Sequence, residues 1–249
     1  MTDEDIAAAA RLLAEARRTG TALPALPVAP ASIAEAHAIQ DATAALLAIP
    51  VGGFKAAAVG SDEPSRGLIY APTIHPSPAR IPASAVPLCG VEGEVAFRFT
   101  RDLPARAAPY TREEVAAAVE ACAAIEVITS RFADQATRPV LEKLADCVSN
   151  GAFVPGPVVA DWRGLDLEHI HVTLEVNGET VLDRNGGNPS GDPLKVATAL
   201  ANMLRSGRGV RAGQFVTCGT FTGLRFLQPG DRCTARFAGL GVAEVTFLA

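Results

Sequence analysis

The chain has 249 residues, 49% hydrophobic and 20% charged, and a net charge of −5. That is core material for one large domain, or for a domain with a small appendage, and it excludes a disordered or coiled-coil chain. Acids and bases are interspersed with no Lys/Arg-rich run, which argues against a nucleic-acid or anionic-membrane partner. The five cysteines, Cys89, Cys122, Cys147, Cys218 and Cys233, form no C-x-x-C pair and read as reduced, buried thiols. An acidic start, Met1-Thr2-Asp3-Glu4-Asp5, and the lack of any apolar run near ~20 residues predict a soluble cytoplasmic protein.

The pattern predicts a helix over Asp3 to Arg18, stopped by Gly20. A second helix opens with the capping box Ser32-Ile33-Ala34-Glu35 and runs to about Ala48, before Pro50. Together they make a small helical lobe, residues 1–50, ahead of a larger domain, 51–249. A Gly-rich apolar piece, Val51 to Gly60, precedes a Pro-rich, aperiodic segment from Glu63 to Pro87, the kind of long irregular stretch that is usually functional. A strand around Val91 to Phe99 follows. Thr111-Arg112-Glu113-Glu114 then caps a helix predicted to reach Ala124 and to run into a β-branched strand, Ile125-Glu126-Val127-Ile128. Further strands are expected over Ala152 to Val159, His169 to Val176 and Glu179 to Asp183, the last two joined at Asn177-Gly178. Asp192-Pro193 starts a helix ending at Gly207, and strands over Phe215 to Thr220, Arg232 to Phe237 and Val242 to Phe247 finish the chain. The class is α+β, strand-rich towards the C-terminus.

In Val91-Glu92-Gly93-Glu94-Val95-Ala96-Phe97-Arg98-Phe99 the odd positions are apolar or small, so Glu92 and Glu94 point to one face. On a face open to water the pair would simply be solvated; otherwise a divalent ion would offset its repulsion. Glu126 lies in an apolar run with no cation before Arg131, so it must be paired, protonated or bound to metal if buried. Three carboxylates with no His or Cys near them in sequence select a hard ion, Mg²⁺ or Mn²⁺, over zinc. Three protein ligands would leave positions open for a bidentate 2-oxo acid. Lys55, among small and apolar residues, either snorkels outward or sits in a pocket where it handles protons or holds an enolate. Cys218-Gly219-Thr220-Phe221-Thr222-Gly223 is either an ordinary turn or a carboxylate cradle, and Asp146 to Gly151 is a similar polar stretch. His37, His75, His169 and His171 show no ligand spacing.

Taken in order, Gly53-Phe54-Lys55, Val91 to Phe97, Ile125-Glu126-Val127, Asp146 to Phe153, Gly219-Thr220 and Pro229-Gly230-Asp231 resemble the 2-keto-4-pentenoate hydratase branch of the fumarylacetoacetase superfamily. The resemblance implies a mixed β-roll or barrel, and Mg²⁺ or Mn²⁺ held by Glu92, Glu94 and Glu126. It also implies a catalytic Lys55, homo-oligomers that assemble in some cases with a pathway enzyme, and an acidic substrate contacted by Arg66, Gly67, Leu68, Ser149, Asn150, Gly219 and Thr220. The implied reaction is hydration of a small 2-hydroxy-dienoate in aromatic catabolism. Decarboxylation of a 2-oxo dioic acid, hydrolysis of an acylpyruvate and a non-catalytic metabolite-binding role are the alternatives. Two departures stand out. Pro64-Ser65-Arg66-Gly67-Leu68 replaces the branch's Pro-Asp-(aromatic)-Gly-x-Leu, and Cys147-Val148-Ser149-Asn150 replaces Asn-Ala-Ser-Ser. Both point to a shifted substrate.

Overall fold

Thr2 and Gly20 bound the first helix, α1 (Asp3–Thr19), in the computed structural model, which describes residues 1–58, 60 and 63–249. Thr2 and Asp5 complete a reciprocal capping box, and Gly20 closes the helix in the left-handed region. In α2 (Ile33–Leu47) Ser32 accepts the Glu35 N–H, but the Glu35 carboxylate turns to the Ala31 N–H, 2.7 Å away, and to the N-terminal ammonium. Only half of that predicted box forms. Ala9 and Leu13 of α1 and Ala36 and Ile39 of α2 share an apolar cluster with Phe132 and Leu144 from the later chain.

The main sheet is mixed and seven-stranded. It contains β1 (Val51–Ala57), β2 (Ser65–Tyr70), β4 (Gly90–Phe99), β5 (Val119–Ile128), β6 (Asn150–Pro155), β9 (Phe215–Thr220) and β10 (Arg225–Phe226), in the order β2-β1-β9-β4-β5-β6 with β10 paired to β4. A five-stranded sheet of β3 (Ala79–Pro82), β7 (His171–Val176), β8 (Glu179–Asn185), β11 (Arg232–Phe237) and β12 (Gly241–Leu248), ordered β3-β12-β11-β7-β8, packs against it. Three further helices are α3 (Arg112–Ala116), α4 (Val140–Ala145) and α5 (Pro193–Leu204). The α+β class and mixed β-roll expected from the sequence are present. Val91, Val95, Phe97 and Phe99 face the second sheet in the principal core, which leaves Glu92, Glu94 and Ala96 on the other face. Phe97 is fully buried with Trp162 edge-on at 5.0 Å. Phe97→Ala is expected to cost about 3–5 kcal/mol in urea unfolding, because the cavity it leaves cannot collapse between two sheets.

The third predicted helix is far shorter than expected: α3 spans five residues and the chain is extended from Val119. Alanine favours helix, but Ala121, Cys122, Ala123 and Ala124 are fully buried on both faces of a central strand, paired to β4 on one side and β6 on the other. Tertiary burial overrides propensity here. The segment from Glu63 to Pro87, which carried no periodic signal, holds β2 and β3. Val59, within the apolar piece 51–60, lies outside the described residues.

As the edge strand, β2 leaves backbone groups that another chain could pair with. Two side chains of α2 cover them. The Arg66 N–H donates to His37 Nε2 (3.0 Å), Gln40 Nε2 donates to the Arg66 carbonyl (2.9 Å), and the Leu68 N–H donates to Gln40 Oε1 (3.2 Å). Burial, and then the Arg66 charge, push His37 down to about 4, so it is the neutral acceptor this bond needs. Among the described residues, no helix is long and apolar enough to cross a membrane.

Candidate active site

Three strands bring the acidic residues and the lysine onto one face. Glu92 on β4 lies directly opposite Glu126 on β5, and Glu94 follows two positions along. One carboxylate oxygen from each of the three lies within 4.8 Å of the others. On β1, Lys55 pairs in register with Gly67 of β2 and Thr217 of β9, which puts it on the same face. Its Nζ is 2.8 Å from Glu126 Oε2 and donates to the Val148 carbonyl at 3.1 Å. Beside the cluster, Ile69, Ala96, Cys122, Ala124 and Phe153 form a separate apolar patch of mostly small side chains. Lys55, Ser65, Glu92, Glu94, Val148 and Thr220 are among the residues bordering a cavity of about 130 Å³.

Each buried carboxylate is only partly satisfied by the protein. Glu94 Oε2 accepts from the Thr217 hydroxyl and from the Gly219 N–H at 2.8 Å. Glu126 Oε1 accepts from Asn150 Nδ2 at 2.9 Å, whereas Oε2, although close to the Lys55 ammonium, receives no aligned hydrogen bond among the described residues. A buried oxygen left in that state fits a cation ligand. The all-oxygen donor set suits a hard dication.

The other residues expected at the site are placed as follows. Gly67 packs under the turn Cys147–Ser149, where a Cβ would stand 2.6 Å from the Cys147 carbonyl oxygen. Gly219 sits at φ 98°, and a Cβ there would meet Asn188 Oδ1 at 2.9 Å. Thr220 pairs with Glu94 and borders the cavity. Ser149 is buried, its hydroxyl bonded by Gln135 Nε2 at 3.2 Å. The Arg66 and Leu68 side chains lie on the sheet face opposite Lys55. The Arg66 guanidinium is held by Asp41 Oδ2 at 2.7 Å and Gln40 Oε1 at 3.4 Å, and Leu68 is in the core. Thr217, Asn188, Gln40 and the Val148 carbonyl were not singled out in the sequence. Only Thr217 left a signal there, two positions before Gly219 on the same strand.

The sequence pattern of the fumarylacetoacetate (FAA) hydrolase C-terminal region matches residues 35–248. The chain belongs to the fumarylacetoacetate hydrolase family. Within this family it is 32% identical over 191 residues to a 2-keto-4-pentenoate hydratase of Paraburkholderia xenovorans, covering 76% of this chain and 70% of the relative. It is 33% identical over 125 residues to a 4-oxalocrotonate decarboxylase of Pseudomonas putida, covering 50% and 47% respectively. In fold it matches 4-oxalocrotonate decarboxylase from Pseudomonas putida G7, solved with magnesium and adipate, at a TM-score of 0.85 and 23% identity over 100% of this chain and 99% of that one.

Electrostatics divide the cluster of this family member. Burial, followed by the charge of Glu126, pushes Glu92 up to about 7; burial, then Glu126 and Glu92, pushes Glu94 up to about 8. Burial works against the Lys55 ammonium, but the charges of Glu126, Glu92 and Glu94 outweigh it and raise its pKa, so it is protonated at neutral pH. A carboxyl group whose folded pKa exceeds its unfolded value binds more protons in the folded state. Its effect on stability is absent below about 4.5 and becomes a full penalty above about 8. The metal-free protein is therefore expected to lose roughly 5–10 °C of melting temperature between pH 5 and pH 8.5. Added Mg²⁺ should protect it more at pH 8.5 than at pH 5, which differential scanning calorimetry at both values would measure.

Proposed function

We propose that the protein is a divalent-metal-dependent hydratase of a small 2-hydroxy-2,4-dienoate carrying one carboxylate. The observation that carries this reading is the charge pattern of the cavity. Glu92, Glu94 and Lys55 border it, Glu126 is buried beside Lys55, and among the described lining residues no second cation is free, because the Arg66 guanidinium is committed to Asp41 and Gln40. A second carboxylate on the substrate would be buried unpaired, at a cost of several kcal/mol. The relatives named as hydratases, aligned over 76% of the chain, support the same choice.

Glu92, Glu94 and Glu126 would hold Mg²⁺ or Mn²⁺. An ion held there would supply Lewis-acid stabilisation of negative charge at the 2-oxo end of the substrate. Gly219 and Thr220 border the cavity; the Gly219 N–H stays on Glu94, and the Thr220 hydroxyl is the donor left for the substrate carboxylate. Lys55, fixed between Glu126 and the Val148 carbonyl, holds a proton at the cavity wall. Proton transfer from the Lys55 ammonium to C5 turns the 2-hydroxy-2,4-dienoate into a 2-oxo-3-enoate, the enol proton leaves to solvent, and Lys55 takes a proton back from solvent. Water then adds its oxygen at C4 and a proton at C3. We assign the enzyme to the cytoplasm, to aromatic catabolism and to a homo-oligomer.

Decarboxylation of a 2-oxo dioic acid is the second reading, favoured by the alignment with 4-oxalocrotonate decarboxylase. Assays with Mg²⁺ on 2-hydroxypenta-2,4-dienoate, 4-oxalocrotonate and acetylpyruvate separate the possibilities. Hydration of the first at a kcat/KM about 100-fold or more above the others is expected; faster turnover of the diacid would overturn this assignment.

A further inference from the structure

The turn Cys147–Ser149 brings two main groups to the site. The Val148 carbonyl accepts from Lys55, and the next residue after the turn, Asn150, donates to Glu126. All three turn residues have positive φ, at 55°, 53° and 59°. A β-branched valine in that region is held by its surroundings and not by local preference. The constraint is applied at Asp146, the residue before the turn and 1% exposed. Its carboxylate accepts from the Arg131 N–H (3.0 Å), Arg131 Nε (2.5 Å) and Arg17 Nη2 (3.1 Å), and its carbonyl accepts from Arg131 Nη2 and the Ser149 N–H, both at 3.1 Å. Arg131 therefore grips side chain and main chain of one residue in a fixed fork, which a lysine cannot reproduce. Arg17 comes from α1, near the start of the chain, and touches none of the three acidic residues or Lys55.

We propose that Arg17 and Arg131 are positioning residues that act through Asp146 to keep the Val148 carbonyl on Lys55 and the Asn150 amide on Glu126. The first N-terminal helix thereby reaches the site without lining it. This rests on the reading of the carboxylates and Lys55 as the active site. A buried ion-pair cluster is a poor source of net stability, since apolar packing does as well, and geometric control is the role that remains for it.

The test uses the full chain as wild type, Arg17→Ala, Arg17→Lys, Arg131→Lys and Glu94→Gln. Mn²⁺ affinity is measured without substrate, from the electron paramagnetic resonance signal of free Mn²⁺, and kcat and KM on 2-hydroxypenta-2,4-dienoate. In Arg17→Ala, kcat per folded chain should fall about 10-fold and Mn²⁺ affinity about fivefold, with KM within about twofold. Arg17→Lys, which can still donate to Asp146, should recover to within about threefold of wild type. A purely structural pair would lower the melting temperature and leave kcat and Mn²⁺ affinity per folded chain unchanged, and that result overturns the proposal. So does an Arg17→Lys variant no better than Arg17→Ala. Should Arg131→Lys fail to fold, Arg17, 12% exposed at a helix end, carries the test alone. Wild type that binds no Mn²⁺, or Glu94→Gln that binds it equally well, sinks the active-site reading itself and is distinguishable from failure of the clamp.

Discussion

Glu94→Gln is expected to abolish turnover, with kcat reduced about 1,000-fold or more, while raising the melting temperature of the metal-free protein at pH 8.5. Both effects follow from the same burial. The side chain is 1% exposed, and its Oε2 already accepts from Thr217 and Gly219. Glutamine keeps the shape, and its carbonyl oxygen can take over those two bonds. Its amide nitrogen is then turned towards Glu92 and Glu126, a donor where a dication needs an acceptor. Metal affinity should fall in step with kcat, as calorimetric titration with Mg²⁺ would reveal. The gain in stability comes from removing a group whose charge the fold resists, since burial and two neighbouring carboxylates hold Glu94 up to about 8. Glutamine has no charged form to penalise, so the pH-dependent loss of stability should shrink with it. Near-normal turnover at saturating Mg²⁺ would remove the carboxylate cluster from the mechanism.

The carboxylates were legible because their anomaly is local. Two glutamates at period two in an apolar strand, and a third in an apolar run, each demand a partner whatever the fold. Strands ending in tight turns were legible for similar reasons: Phe215–Thr220 and Arg232–Phe237 are bounded by the residues expected. β2 was not. Six residues, Ser-Arg-Gly-Leu-Ile-Tyr, flanked by prolines, carry little periodicity, and their pairing with β1 is set by contacts the sequence cannot display. The alanines of β5 misled for a physical reason: small side chains on a strand buried on both faces look like helix propensity. Arg66 illustrates register. Read as a cation near a glycine, it belongs to the site; paired with Ala56 instead of Lys55, its side chain falls on the far face and meets Asp41. Asp146 and Arg131 were invisible as a pair because nothing in a sequence says which buried carboxylate a distant guanidinium will find.

Lys55→Met should separate proton handling from metal binding. Methionine keeps the length and apolar stem of lysine and lacks the ammonium. Removing a positive charge 2.8 Å from Glu126 Oε2 leaves that oxygen more available to a dication, so Mn²⁺ affinity should hold or rise. Turnover should fall about 1,000-fold even so, because Glu92 and Glu94 must give up their protons to hold a dication and the other cation among the described lining residues, Arg66, is bound to Asp41. The opposite movement of the two quantities is the informative feature, since loss of a ligand such as Glu94 lowers both. Stability should follow the carboxylates: without its counter-charge the cluster repels itself more strongly, and the metal-free variant should melt lower than wild type at pH 8.5 and recover with added Mg²⁺. If kcat in Lys55→Met stays within a factor of about 10 of wild type, the proton comes from elsewhere, and the short contact between lysine and Glu126 serves only to hold the carboxylate in place.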